Sequence, residues 1–139
     1  MFDFNGTLGL DGILLQGLAE RLNHLAAHVT IHIVTADTYQ NICNQVGEIN
    51  CEIVVIGPHN QDLLKADYLK NLGSENTIAI GNGRNDKLML KKAGLGIAVM
   101  NSEGVAVETL MAADVVVTDI NQALDLITNP LRLIATMRL

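Results

Sequence analysis

Tryptophan is absent from this chain of 139 residues, and its aromatic side chains come to two Phe and two Tyr. The core must therefore be aliphatic, made of Ile, Leu, Val, Ala and Met. Single-stranded nucleic acid is usually held on stacked aromatics in a basic groove. Both ingredients are missing, because 15 acidic residues outnumber 9 Lys and Arg for a net charge of −6. That balance repels a phosphate backbone or an anionic lipid surface, so neither nucleic acid nor membrane is an expected partner. No apolar run approaches the ~20 residues a spanning helix needs. No signal peptide is visible, and a soluble, cytoplasmic protein is the expectation.

Cysteine is also scarce. Cys43 and Cys51 show no C-x-x-C pattern and are read as buried, reduced thiols. His24, His28, His32 and His59 lack metal-ligand spacing, and His24 and His28, four apart, are read as surface residues rather than a metal pair. Long linkers, repeats and low-complexity stretches are missing too. A single domain over residues 1–139 is expected, large enough to bury roughly two-thirds of its unfolded surface.

What is present is an alternation of two segment types. Short β-branched runs read as buried strands at Val29–Val34, Glu52–Ile56, Thr77–Ile80, Leu95–Val99 and Asp114–Thr118. Between them lie helical stripes: Leu15, Leu18, Leu22, Leu25 and Ala26, then Leu64, Tyr68, Leu69 and Leu72. Segments Asn85–Ala93, Gly104–Ala113 and Asn121–Ile127 continue the helical set. The pattern predicts α/β architecture, a parallel sheet covered by helices on both faces. The chain opens at Met1-Phe2-Asp3, which leaves a first strand that looks truncated. The tail, Pro130–Leu139, is apolar and is expected to pack on the body or on a partner. Met89, Met100 and Met111 are read as core filler. Asp11, Asp62, Asp67, Lys91 and Lys92 are read as surface charge.

Open α/β sheets bind ligands beyond the carboxyl ends of their strands. After the first strand come Asp3-Phe4-Asn5-Gly6-Thr7-Leu8, after the second Thr35-Ala36-Asp37, and after the fourth Gly81-Asn82-Gly83-Arg84-Asn85-Asp86. Lys65 stands on the helix before that fourth strand. Phosphoryl transfer suits these types. A carboxylate such as Asp3 can attack phosphorus and form an aspartyl phosphate. Thr35 can donate to one phosphoryl oxygen, and Lys65 can supply charge to another. Asp3 and Asp86 would repel the dianion unless a cation lay between them, and Mg2+ suits such oxygen ligands.

Asp-x-x-Gly-Thr, a hydroxyl after strand two, a lysine and Gly-x-Gly-x-x-Asp, in this order, resemble the four motifs of the haloacid dehalogenase-like superfamily. Thr35-Ala36-Asp37 and Gly81–Asp86 are similar to the corresponding motifs of its soluble P-type ATPase-like branch. The resemblance implies a three-layer αβα, Rossmann-like sheet. Asp3 would be the nucleophile, with catalytic help from position 5. Mg2+ would be held by Asp3, the backbone carbonyl of Asn5, Asn82 and Asp86. Thr35, Lys65 and Asn85 would bind the phosphoryl group or orient its ligands. The implied substrate is a small phosphorylated molecule or a phosphoprotein.

Three departures qualify that picture. Phosphatases of the superfamily usually carry aspartate where this chain has Asn5, and an amide cannot shuttle a proton. Asn82 likewise replaces a usual aspartate. The gaps from Thr7 to Thr35 and from Thr35 to Lys65 leave no room for a cap domain, only for a short flap around Gly9–Gly12. A neighbouring subunit of a homo-oligomer could close such an open site. Two functions follow: a slow Mg2+-dependent phosphohydrolase, or a catalytically weak phosphate-binding or regulatory module. A receiver-type domain fits less well, because Gly57-Pro58 follows strand three where its aspartate belongs. A dinucleotide fold lacks its third glycine.

Overall fold

The computed structural model describes residues 1–36 and 41–138. Asp37 therefore lies outside the described residues. The ordered elements begin with a hairpin of β1 (Gly9–Leu10) and β2 (Ile13–Leu14), then α1 (Leu18–Ala26), β3 (His32–Thr35), α2 (Ile42–Val46), β4 (Glu52–Val55) and α3 (Gln61–Leu72). There follow β5 (Ile78–Gly81), a 3-10 turn at Arg84–Asp86, α4 (Lys87–Lys92), β6 (Leu95–Val99), α5 (Val107–Ala112), β7 (Val115–Val117), α6 (Ile120–Thr128) and α7 (Pro130–Met137).

Strand pairing is parallel within the main sheet: His32 opposes Glu52, Ile78 opposes Leu95, and Ile97 opposes Val115. Residues 1–3 join the two halves. Phe2 bridges Ile33 on one side and Ile80 on the other, both in parallel. Phe2 N–H donates to His32 O at 2.8 Å, and Asp3 N–H donates to Ile80 O at 2.9 Å. Three residues thus fill the central strand position. Counting them first, the spatial order is 3-2-1-4-5-6, whose direction reverses between residues 1–3 and β5. Sheets of this order bind ligands at that reversal.

Alternation along the strands splits the core into two layers. Phe2, Ile33, Ile80 and Ile97 face one way, packing against Leu18, Leu22 and Leu25 of α1 and Ile120, Ala123 and Leu124 of α6. Met1, Val34, Ala79 and Ala98 face the other way, toward Leu69 of α3 and Met89 and Leu90 of α4. Small strand residues on this second face let the helices approach closely. A Cβ at Gly96 would meet the carbonyl carbon of Leu90 at 2.9 Å. The result is the three-layer αβα arrangement, and among the described residues no cap domain stands over it.

The structure corrects several expectations. Cys43 is exposed and Cys51 half-buried, both as free thiols. Of the three methionines, only Met89 is in the core; Met100 is 44% and Met111 76% exposed. The tail is a helix started by Pro130, whose missing N–H costs nothing at the first helical position. Leu133 packs on the core, while Leu131 and Ile134 face solvent. No described helix is long and apolar enough to cross a membrane.

Candidate active site

Asp3 ends the central strand, and pairing of Phe2 on both sides holds it at the carboxyl rim. The chain then turns tightly. The N–H groups of Thr7, Leu8 and Gly9 all donate to Phe4 O, at 3.1, 2.9 and 2.9 Å. Gly6 has φ 78°, a left-handed conformation that side chains disfavour. Buried Phe4 and Leu8 anchor this turn to the core. The hairpin follows, with Asp11 and Gly12 both at positive φ, as a two-residue type I′ connection requires.

The second contribution comes from the end of β5. The 3-10 turn brings Asp86 back under the rim. Its Oδ2 accepts from Asn82 N–H at 3.0 Å and Gly83 N–H at 2.9 Å. Gly81 is needed there, because a Cβ would lie 2.5 Å from the Asp86 carboxylate. Lys65, on the second turn of α3, is completely buried. Its Nζ donates to Asp3 Oδ1 and, at 2.7 Å, to Asp86 Oδ1. A buried lysine thus joins two carboxylates that stand 83 positions apart in sequence. Thr35 is also buried, at the end of β3.

Thr7, given no role from sequence, links the two loops. Its hydroxyl lies 3.1 Å from Asn82 Oδ1 and 3.4 Å from Asp3 Oδ2. One O–H carries one proton, and the shorter contact is the better bond. Asp3 Oδ2 is left the less satisfied oxygen. Asn82 is engaged at both ends, since its Nδ2 donates to Gly104 O at 3.1 Å. Asn5 Oδ1 is buried and has no hydrogen-bond partner among the described residues. Asn85 does not reach Lys65; its Nδ2 donates to Gln61 Oε1 at 2.7 Å, one turn before Lys65 on α3.

Asn101 and Glu103, after β6, also escaped the sequence reading. Asn101 Nδ2 donates to Gly6 O, and Glu103 Oε1 accepts from Asp11 N–H at 3.0 Å. Both tie the hairpin and its turn to the β6–α5 loop. Inspecting the residues after every strand, the fifth included, would have found Asn101.

Burial raises the Asp3 pKa to about 7, the charge of Asp86 adds to the rise, and Lys65 opposes it. Burial alone would lower Lys65, but Asp3 and Asp86 outweigh it and hold its pKa above the ordinary lysine value. The fold therefore favours protonated Asp3. Its contribution to stability is complete below 3.8, the ordinary value, and is lost as pH rises to about 7. In urea titrations the wild type is expected to lose more stability between about pH 5 and about pH 8 than Asp3→Asn. Equal losses would show that Asp3 is ionised throughout.

The oxygen donors that the structure brings together here are the Asp3 carboxylate and the Asn82 amide oxygen, joined through the Thr7 hydroxyl. They fit a hard, hydrated cation such as Mg2+, which binds through few carboxylates and keeps several waters. Asp86 is fully buried with both oxygens engaged, an arrangement that suits holding Lys65 better than ligating metal.

A family model described as haloacid dehalogenase-like hydrolase matches residues 61–125. An uncharacterized protein of Methanocaldococcus jannaschii is 48% identical over 83 residues, 57% of this chain and 89% of that protein. The cobalt-bound deoxy-D-mannose-octulosonate 8-phosphate phosphatase of Haemophilus influenzae is 15% identical, with TM-score 0.74 over 93% of this chain and 82% of that one. The Moraxella catarrhalis 3-deoxy-D-manno-octulosonate 8-phosphate phosphatase, solved with magnesium and phosphate, is 19% identical with TM-score 0.73, covering 99% and 91%. The catalytic domain of the CPx-ATPase CopB-B is 26% identical with TM-score 0.64, covering 84% of this chain and 46% of that one. The matched stretch takes in both Lys65 and Asp86: over residues 61–125 the chain matches the haloacid dehalogenase-like hydrolases, and it shares the fold of these phosphatases over nearly its whole length.

Proposed function

We propose that this chain is a Mg2+-dependent phosphohydrolase that takes a phosphoryl group from a phosphomonoester onto Asp3. The observation that carries this reading is the buried lysine joining Asp3 to Asp86 at the switch point of the sheet. Lys65 holds Asp3 Oδ1, which leaves Oδ2 as the oxygen able to attack phosphorus. Two of the three N–H bonds of Lys65 are used by the carboxylates, and the third can meet a phosphoryl oxygen. Thr35, buried at the neighbouring strand end, is the second donor proposed for that group. Asp3, the backbone carbonyl of Asn5 and the Asn82 amide would hold Mg2+ through oxygen, and the bound ion would offset charge on the phosphoryl oxygens. Asp86 positions Lys65, and Asn85 steadies the same helix through Gln61.

Hydrolysis of the aspartyl phosphate is the slow step, because Asn5 cannot deprotonate water. This also motivates a second reading, a phosphate-binding module with little turnover. Release of phosphate from an aryl phosphate such as para-nitrophenyl phosphate separates them. Wild-type protein with Mg2+ is expected to release phosphate above background, and Asp3→Asn to reduce it to background with its circular dichroism unchanged. Background rates from wild-type protein, together with tight capture of beryllium fluoride, would establish the binding module instead.

A further inference from the structure

We propose that the amides of Asn5 and Asn82 adapt this site to bind an inorganic phosphate dianion before, and without, a divalent cation, so that Mg2+ binds well only once the dianion is there. The inference rests on the phosphoryl site proposed above and concerns its order of loading. Three observations carry it.

The first is charge. With Asp3 and Asp86 ionised, the site side chains Asp3, Asp86, Lys65, Asn5, Asn82 and Thr7 sum to one negative charge, since Lys65 cancels one carboxylate. Asp86 is further offset by two backbone N–H groups on Oδ2. An entering dianion therefore faces the residual charge of Asp3 alone. Acidic groups at positions 5 and 82 would triple that charge.

The second is hydrogen bonding. Asn82 is locked by its own contacts. Its Oδ1 accepts from Thr7, and its Nδ2 donates to Gly104 O, so side-chain hydrogen bonds join the loops after the first strand, β5 and β6. Asn101 adds a second tie, to Gly6 O.

The third is the donor set. A lone cation would find a single carboxylate that is not already saturated, with the Asn82 amide oxygen linked to it through Thr7. Mg2+ gives up its water reluctantly and is typically held by one or two carboxylates plus phosphate oxygens. The dianion supplies the missing oxygens. Each ligand then strengthens the other, and the coupling is reciprocal.

The test is binding rather than turnover. Inorganic phosphate is titrated into the protein by calorimetry, in EDTA and then in Mg2+, and Mn2+ alone is titrated as a spectroscopic stand-in for Mg2+. Wild-type protein is expected to bind phosphate measurably in EDTA, and phosphate and metal are expected to tighten one another by the same factor. Mn2+ alone should bind weakly and tighten when phosphate is added. Asn82→Asp is expected to weaken phosphate in EDTA by at least about tenfold and to tighten Mn2+ alone by a similar factor. Because that variant loses the bond to Gly104 O, Asn5→Asp provides a second case, at an oxygen with no partner to lose. Phosphate binding seen only with metal, alongside normal phosphatase activity, would overturn the inference and leave the proposed function standing. No phosphate binding with or without Mg2+ would overturn both. Unchanged affinities in the two variants would show that the amides do not set the order of loading.

Discussion

Lys65→Met is expected to cost the fold about 3–5 kcal/mol, the usual penalty for breaking a buried charge pair by removing one partner. Lys65 is fully enclosed, and the Asp3 and Asp86 carboxylates share its ammonium. Without it, two carboxylates face one another in a space that excludes water. One must take up a proton or the loops must separate. Urea denaturation near neutral pH measures the loss. The cost should shrink when Asp3→Asn is combined with Lys65→Met, because one of the stranded charges is then gone. That coupling between the substitutions distinguishes electrostatic release from simple loss of packing. Asp3→Asn by itself should cost much less, since Lys65 keeps Asp86 as its partner. A loss below about 1 kcal/mol for Lys65→Met would be the range of an exposed pair, and the buried triad would then be without consequence.

Asn5→Asp is expected to speed breakdown of the phosphorylated protein by about 10²–10⁴, the range general acid–base help supplies. The Asn5 amide oxygen is already buried without a donor. A carboxyl group placed there would be partly desolvated, which raises its pKa toward the pH at which proton transfer works best. The rate to follow is single-turnover decay of the aspartyl phosphate in Mg2+, not steady-state turnover alone. Faster decay together with weaker phosphate binding in EDTA is the combined signature of this substitution. Unchanged decay would mean that proton transfer does not limit the reaction.

Much of the architecture was legible in the sequence because it follows from local chemistry. Runs such as Ile31–Thr35 and Leu95–Val99 are apolar on both faces, as strands buried between two helical layers must be. Leu18, Leu22 and Leu25 line one side of α1 and are all buried there. The strand predicted at Val29–Val34 begins later, at His32, since Val29 lies in the turn after α1 and is exposed. Methionines gave no such information. Met89 and Met111 have the same side chain, yet one is enclosed under the sheet and the other is on the outer face of α5. Helical spacing alone does not say which face a short helix will present.

The site divides in the same way. Asp3, Thr35, Lys65 and Asp86 could be chosen from their residue type and their place beside strand ends. The roles of their neighbours could not. Asp86 was expected at the metal, and in the structure its carboxylate accepts from two backbone N–H groups and from Lys65. Asn85 looked like a partner for Lys65, but it bonds to Gln61. The bonds from Thr7 to Asn82 and from Asn101 to Gly6 exist only where three loops meet.

From the sequence alone came the alternation of strand and helix, an aliphatic core, and the two amides at positions 5 and 82, because side-chain type and periodicity are properties of neighbours along the chain. The tertiary structure decided that residues 1–3 lie between β3 and β5, and that a single enclosed ammonium serves two carboxylates. Those are contacts between residues dozens of positions apart. They exist only once burial has removed water and made each unpaired charge expensive.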